Sequence, residues 1–183
     1  MTSVHSVPDA FSAGECERIT AAITVAAATD ALLVGRTKDH TLRRAKLVWM
    51  DEVDGLGWVM ERLIELVRSA NNDQFDFDVR EFSESPQVAS YTAADGGHFA
   101  WHSDIGRGPL AAKRKLTLVL QLSDPGCYDG GDLEIMPSAQ VLTANRAQGC
   151  VSIFPSFALH QVTPVRGGTR RSLTLWAHGP SFR

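Results

Sequence analysis

Residues 115–123 read KLTLVLQLS, and the fold reading starts there. Leu116, Leu118, Leu120 and Leu122 alternate with Thr117, Val119 and Gln121. Side chains in a strand point to opposite faces in turn, so this stretch has one fully apolar face and one mixed face. The leucine face belongs against a core. The Thr–Val–Gln face is too polar for a core and suits the inside of a small barrel that takes a ligand.

Short segments of the same texture surround it: 87–91, 99–102, 132–136, 150–154, 159–162 and 172–177. Asp-Gly-Gly at 95–97 and at 129–131, and Arg-Gly-Gly at 166–168, read as turns between them. Many short strands with regular turns predict a mainly β sandwich or barrel. Two helices precede it. Ser12 and Glu15 form a capping box, with Phe11 as a hydrophobic staple, and open a helix through Cys16, Ile19 and Ile23. A second helix is expected after Asp54, with Met60, Leu63, Ile64 and Val67 at helical spacing and Asn71-Asn72 as its stop. The expected class is therefore α+β, a β core with helices packed outside.

The 183 residues, 44% hydrophobic and 21% charged, suit one domain around one core. Residues 1–80 would be helical and strand support, and 85–180 the core. A net charge of −3 argues against a non-specific nucleic-acid binder. Cys16, Cys127 and Cys150 are an odd, widely spaced set without CxxC, which argues against a disulfide framework or a cysteine zinc site. MTSVHSVPDAF lacks a basic start followed by an apolar run, so no secretory signal is expected, and the longest apolar run, 21–34, is broken by Thr24, Thr29 and Asp30. A cytoplasmic protein with no membrane partner is expected; no oligomeric state is read.

Three constellations carry chemistry. In Trp101-His102-Ser103-Asp104, His102 and Asp104 stand at i and i+2, so both converge from an extended segment. They supply two of the three ligands of a 2-His-1-carboxylate site, which leaves coordination positions open. His160, in LHQVTPV at 159–165, is the distant imidazole that would complete it; on its own it reads equally as a core histidine bonded to backbone. In GTRRSLTLW at 168–176, alternation puts Arg170, Ser172, Thr174 and Trp176 on one face and Arg171, Leu173 and Leu175 on the other. An inward arginine must be paired, with a protein carboxylate or with that of a ligand.

From Gln87 to His178 the order of WHSD, LQLSDP, YDGGDLEI, FPS, LHQVTPV and GTRRSLTLW resembles the bacterial PKHD-type hydroxylases and the wider prolyl 4-hydroxylase-like 2-oxoglutarate oxygenases. The resemblance implies a double-stranded β-helix (a jelly roll of cupin type) and iron(II) held by His102, Asp104 and His160. It implies 2-oxoglutarate as co-substrate with dioxygen, its distal carboxylate on Arg170 and Tyr91, and Trp176 and Leu133 lining the pocket. Tyr91 also reads as an ordinary core aromatic. The implied reaction is hydroxylation of an amino-acid-like group, free or in a peptide, with succinate and carbon dioxide formed from the co-substrate. Two alternatives stand beside it: a nucleic-acid demethylase of the AlkB type, against which the overall acidity weighs, and a silent cupin-like barrel that only binds a ligand. A zinc hydrolase would have no use for Arg170. Two basic runs, Arg36 to Lys46 and Arg107 to Lys115, together with His98, are expected near the mouth and would suit an anionic group on a small-molecule or peptidyl substrate.

Overall fold

The computed structural model describes residues 4–29 and 42–182. Arg36, Lys38 and His40 of the first basic run lie outside the described residues. Two antiparallel sheets face each other. The larger contains β1 (His5–Val7), β3 (Lys46–Trp49), β4 (Gln87–Thr92), β6 (Arg114–Gln121), β7 (Tyr128–Gly130), β10 (Val151–Pro155) and β12 (Val165–His178). Its order is β1-β10-β6-β12-β4-β3, with β7 paired to the early part of β12. The smaller contains β2 (Arg43–Arg44), β5 (His98–His102), β8 (Leu133–Met136), β9 (Leu142–Thr143) and β11 (Leu159–Val162), in the order β2-β5-β11-β8-β9. This is the double-stranded β-helix expected, mainly β with two helices outside it.

The leucine face of β6 does what its alternation requires. Leu116, Leu118, Leu120 and Leu122 are buried in one apolar cluster with Leu173, Leu175 and Ala177 of β12. The helices α1 (Ala13–Thr29) and α2 (Gly57–Ala70) cover that face. They bring Cys16, Ile19 and Ile23 from α1, and Val59, Leu63 and Val67 from α2. Each fully buried leucine contributes about 1.5–3 kcal/mol relative to exposure, so this layer anchors the larger sheet.

The capping box at α1 forms as read: the Glu15 N–H donates to Ser12 Oγ, and the Ser12 N–H to Glu15 Oε2. The second helix, α2, follows Asp54 as expected and begins at Gly57, with Leu56 at the N-cap and no side-chain cap bond. The stop is a π-turn over Asn71–Phe75 that ends at Asp76 in the left-handed region, φ 53°. Asn71 locks it by exchanging two hydrogen bonds with the Phe77 backbone.

The Arg-Gly-Gly run at 166–168 is not a turn. It belongs to β12, which is bulged between Val165 and Gly167 and pairs with β7. Gly168 has φ +67°, and a Cβ there would sit 2.1 Å from the Cys127 carbonyl oxygen, so the strand passes β7 only with glycine. The bulge precedes Arg170. From Thr169 to Thr174 the register against β4 is regular, which preserves the alternation. Among the described residues, no helix is long and apolar enough to cross a membrane.

Candidate functional site

The site lies between the sheets, and strand pairing builds it. His102 ends β5 and pairs directly with His160 of β11. Asp104 follows two residues later, past the strand end, its N–H held by the Ser156 carbonyl at 2.9 Å. His102 Nε2 is 3.6 Å from Asp104 Oδ1, and His160 Nε2 is 3.4 Å from Oδ2. The donor atoms of the three residues lie within 4.8 Å of one another.

Both imidazoles are oriented the same way. His102 Nδ1 is 2.8 Å from the Ala100 carbonyl oxygen, and His160 Nδ1 is 3.0 Å from that of Ala158. A carbonyl only accepts, so each Nδ1 carries the proton and each Nε2 presents its lone pair inward. The His102 ring stacks on Phe99 at 3.5 Å, and Phe154 packs edge-on to His160 at 4.9 Å. Burial lowers the pKa of His160, which favours the neutral, ligating form.

Asp104 has a side chain only 9% exposed. Burial alone would raise its pKa. The close approach of the His102 and His160 imidazoles and the bond from the Trp176 indole hold it far below the usual carboxylate range. Its Oδ2 accepts from Thr117 Oγ1 at 2.7 Å and from Trp176 Nε1 at 3.0 Å. Thr117 and Trp176 pair across β6 and β12, so the larger sheet aims two donors at one carboxylate oxygen. Two neutral imidazoles and an ionised carboxylate gathered on one side fit a ferrous ion with open positions.

A second feature lies along β12. Arg170 is 0% exposed, opposite Tyr91 in register, with its guanidinium carbon 5.6 Å from the centre of the Tyr91 ring. Burial pulls its pKa down. Nη2 donates to Gln121 Oε1 at 3.0 Å, while among the described residues Nε, Nη1 and the buried Tyr128 hydroxyl find no hydrogen-bond partner. A buried guanidinium edge without an acceptor is costly in itself and is matched to a carboxylate. Gly131 lets β12 close over this side: at φ +64°, a Cβ would meet Arg170 Cδ at 3.1 Å and Val165 Cγ2 at 2.9 Å.

The remaining expectations sort by place. Leu133 is buried beside the site with Val119, Ile135, Phe154 and Ala158. Trp176 is aimed at Asp104 rather than serving only as a pocket wall. His98 sits in β5 with its Nδ1 against the Gly96 carbonyl. The second basic run is split: Arg114 pairs with Glu84 and Lys115 is buried over the Phe182 ring at 3.5 Å, while Arg107 and Lys113 are exposed. Arg43 lies 4.5 Å over the Phe99 ring and donates to Gln87. Thr117, Gln121, Tyr128 and Glu84 also belong to the site or its support, and no motif marks them as site residues. Alternation in KLTLVLQLS already puts Thr117 and Gln121 inward, but nothing in the sequence brings Glu84 to Arg114.

Residues 86–178 match the model of a family described as the 2OG-Fe(II) oxygenase superfamily. The chain is similar to a PKHD-type hydroxylase of Pseudomonas putida (strain KT2440), 36% identical over 87 residues, which is 45% of this chain and 38% of that protein. It is also similar to a PKHD-type hydroxylase of Hyphomonas neptunium, 31% identical over 121 residues, 64% of this chain and 53% of that protein. The matched stretches thus span about half or less of these relatives. In fold the chain resembles a Pseudomonas putida prolyl-4-hydroxylase, with TM-score 0.77 and 21% identity over 99% of this chain and 95% of the other. It also resembles a Trichoplax adhaerens prolyl hydroxylase, solved with a hypoxia inducible factor peptide fragment, with TM-score 0.78 and 16% identity over 97% and 84%.

Proposed function

The chain belongs to the 2OG-Fe(II) oxygenase superfamily, and from that premise we propose that it hydroxylates an unactivated C–H bond of an amino-acid-like group, free or within a peptide. In this reading His102, Asp104 and His160 hold iron(II), and Arg170 takes the distal carboxylate of 2-oxoglutarate, with Tyr91 beside it. The observation that carries it is the pairing of two features on facing sheets: an inward His-Asp-His set and a buried guanidinium with two nitrogens unpartnered among the described residues.

Bound iron(II), with 2-oxoglutarate and dioxygen, supplies an oxidant able to attack such a bond, with succinate and carbon dioxide as co-products. The chain's own part is positioning. The Ala100 and Ala158 carbonyls set the tautomer of the two imidazoles. Thr117 and Trp176 hold one oxygen of Asp104, which leaves Oδ1 turned toward His102. Arg170, held by Gln121, would bind the distal carboxylate of the co-substrate, and Val119, Leu133, Ile135 and Phe154 would keep water from one flank. We read the N-terminal support and the core as one domain, acting on a small-molecule or peptidyl substrate. The unbonded Cys16, Cys127 and Cys150 suit a reducing, cytoplasmic setting.

The test is anaerobic loading with iron(II) and 2-oxoglutarate, then oxygen and a panel of amino acids and peptides, with succinate and a 16-dalton product gain as readouts. Wild type should form succinate, and alanine at His102, Asp104 or His160 should abolish it in folded protein. Near wild-type turnover in any one of these variants refutes the metal assignment. Tight 2-oxoglutarate binding without succinate would instead mark a ligand-binding barrel.

A further inference from the structure

Asp104 lies beyond the end of β5, so the ladder that places His102 does not place it. Its backbone is tied elsewhere. The N–H donates to Ser156, and the carbonyl accepts from Arg114 Nη1 at 3.1 Å. The same guanidinium lies 3.9 Å from the centre of the Trp176 ring, whose N–H donates to the Asp104 carboxylate. One cation therefore touches both the main chain of Asp104 and the indole that holds its side chain.

Arg114 is itself fixed. It forks onto Glu84, with Nε 2.6 Å from Oε2 and Nη2 on Oε1. Glu84 is only 12% exposed and accepts a further bond from His178 Nε2 at 2.8 Å. His178 Nδ1 accepts from the Ser83 N–H, which leaves its proton on Nε2 to face Glu84. Burial would raise the Glu84 pKa, but the bonds from His178 and Arg114 bring it down to about 2.

We propose that Arg114, clamped by Glu84 and His178, is a positioning residue for the metal-binding carboxylate of Asp104. This rests on the reading of His102, Asp104 and His160 as the metal centre. A guanidinium that served the fold alone would be complete on reaching Glu84. This one continues to Asp104 by two routes, one through the carbonyl and one through the Trp176 ring. A cation on the indole face also polarises its N–H and makes it a better donor to the carboxylate. Outer partners of this kind typically change metal affinity by about ten- to a hundred-fold.

Cobalt(II) alone is the probe, titrated into metal-free protein and followed by its visible absorption, alongside thermal unfolding of the same samples. Arg114→Met should weaken cobalt binding by about ten-fold or more and alter the absorption bands. Arg114→Lys should recover little, because an ammonium cannot fork onto Glu84 and still reach the Asp104 carbonyl. Glu84→Gln should shift affinity in the same direction by less, and Trp176→Phe should remove the indole arm alone. Arg166→Met, which breaks an exposed pair with Asp129, should leave cobalt binding unchanged. Folded Arg114→Met with wild-type affinity and bands overturns the proposal, as does a lower unfolding temperature with no change at cobalt. If Arg114→Met fails to fold, Glu84→Gln decides by the same criteria. Wild type that binds no cobalt refutes the metal-centre reading itself, and Arg114 falls with it.

Discussion

Replacing Arg170 with methionine should weaken 2-oxoglutarate binding and at the same time stabilise the ligand-free protein. The guanidinium is fully buried and, among the described residues, bonds Gln121 while Nε and Nη1 lack acceptors. Bound to a carboxylate, it forms a charge-assisted fork in a desolvated pocket. Truncating such a partner costs about 2–5 kcal/mol, or roughly thirty-fold to several thousand-fold in affinity. Without ligand the same cation is only partly compensated, by Gln121 and by more distant groups such as Asp132, and a methionine of similar length removes the remaining burial penalty while leaving Gln121 one bond short. The net gain is about 1–3 kcal/mol. At about 2–4 °C per kcal/mol for a chain of this size, the rise is visible in a thermal melt. Arg170→Lys should restore only part of the affinity, since it loses the fork. Arg171 is half-exposed, on the face of Leu173 and Leu175, so Arg171→Ala should change the constant by less than about three-fold. The assays are 2-oxoglutarate titration of anaerobic, iron(II)-loaded variants and melts of ligand-free protein. A crippled Arg171→Ala beside a mild Arg170→Met refutes the register. An Arg170→Met that melts lower than wild type refutes the claim that the guanidinium is held for a ligand.

Three further outcomes are expected. In the proposed metal centre the Asp104 carboxylate would fill the position a halide would need, so products formed in chloride buffer should be hydroxylated and not chlorinated; mass spectrometry of a chlorinated product would contradict this. The Glu84 carboxyl, taken from 4.5 to about 2 in the folded chain, stabilises it above pH 4.5, and the contribution fades as pH falls toward 2. Glu84→Gln should therefore cost on the order of 2 kcal/mol in urea unfolding at pH 7, with the gap closing toward pH 2, and a pH-independent gap would remove the ion-pair explanation. Gly131→Ala forces a side chain into φ +64° and against Arg170 Cδ, so it should cost about 1–3 kcal/mol and weaken 2-oxoglutarate binding as well; wild-type melting and affinity would show that β12 does not need that approach.

The sequence by itself determined the alternation of KLTLVLQLS, and with it which face of β6 meets the helices and which meets the site. It determined the face of Arg170, because period two is a local property of an extended chain; it named His102 and Asp104 as a pair, but Asp104 lies past the end of β5 and is held by Ser156 and Arg114 rather than by strand alternation. It was misleading at Arg-Gly-Gly 166–168, where glycines that look like a turn serve a bulge and a close strand crossing. It also left Arg114 and Lys115 as charges at the mouth. Only the tertiary structure decided that Arg114 is spent on Glu84, Trp176 and Asp104, and that Thr117 and Trp176 converge on one carboxylate oxygen. Those contacts join residues far apart in the chain across two sheets, and local periodicity sets a side chain's direction without naming what stands opposite it.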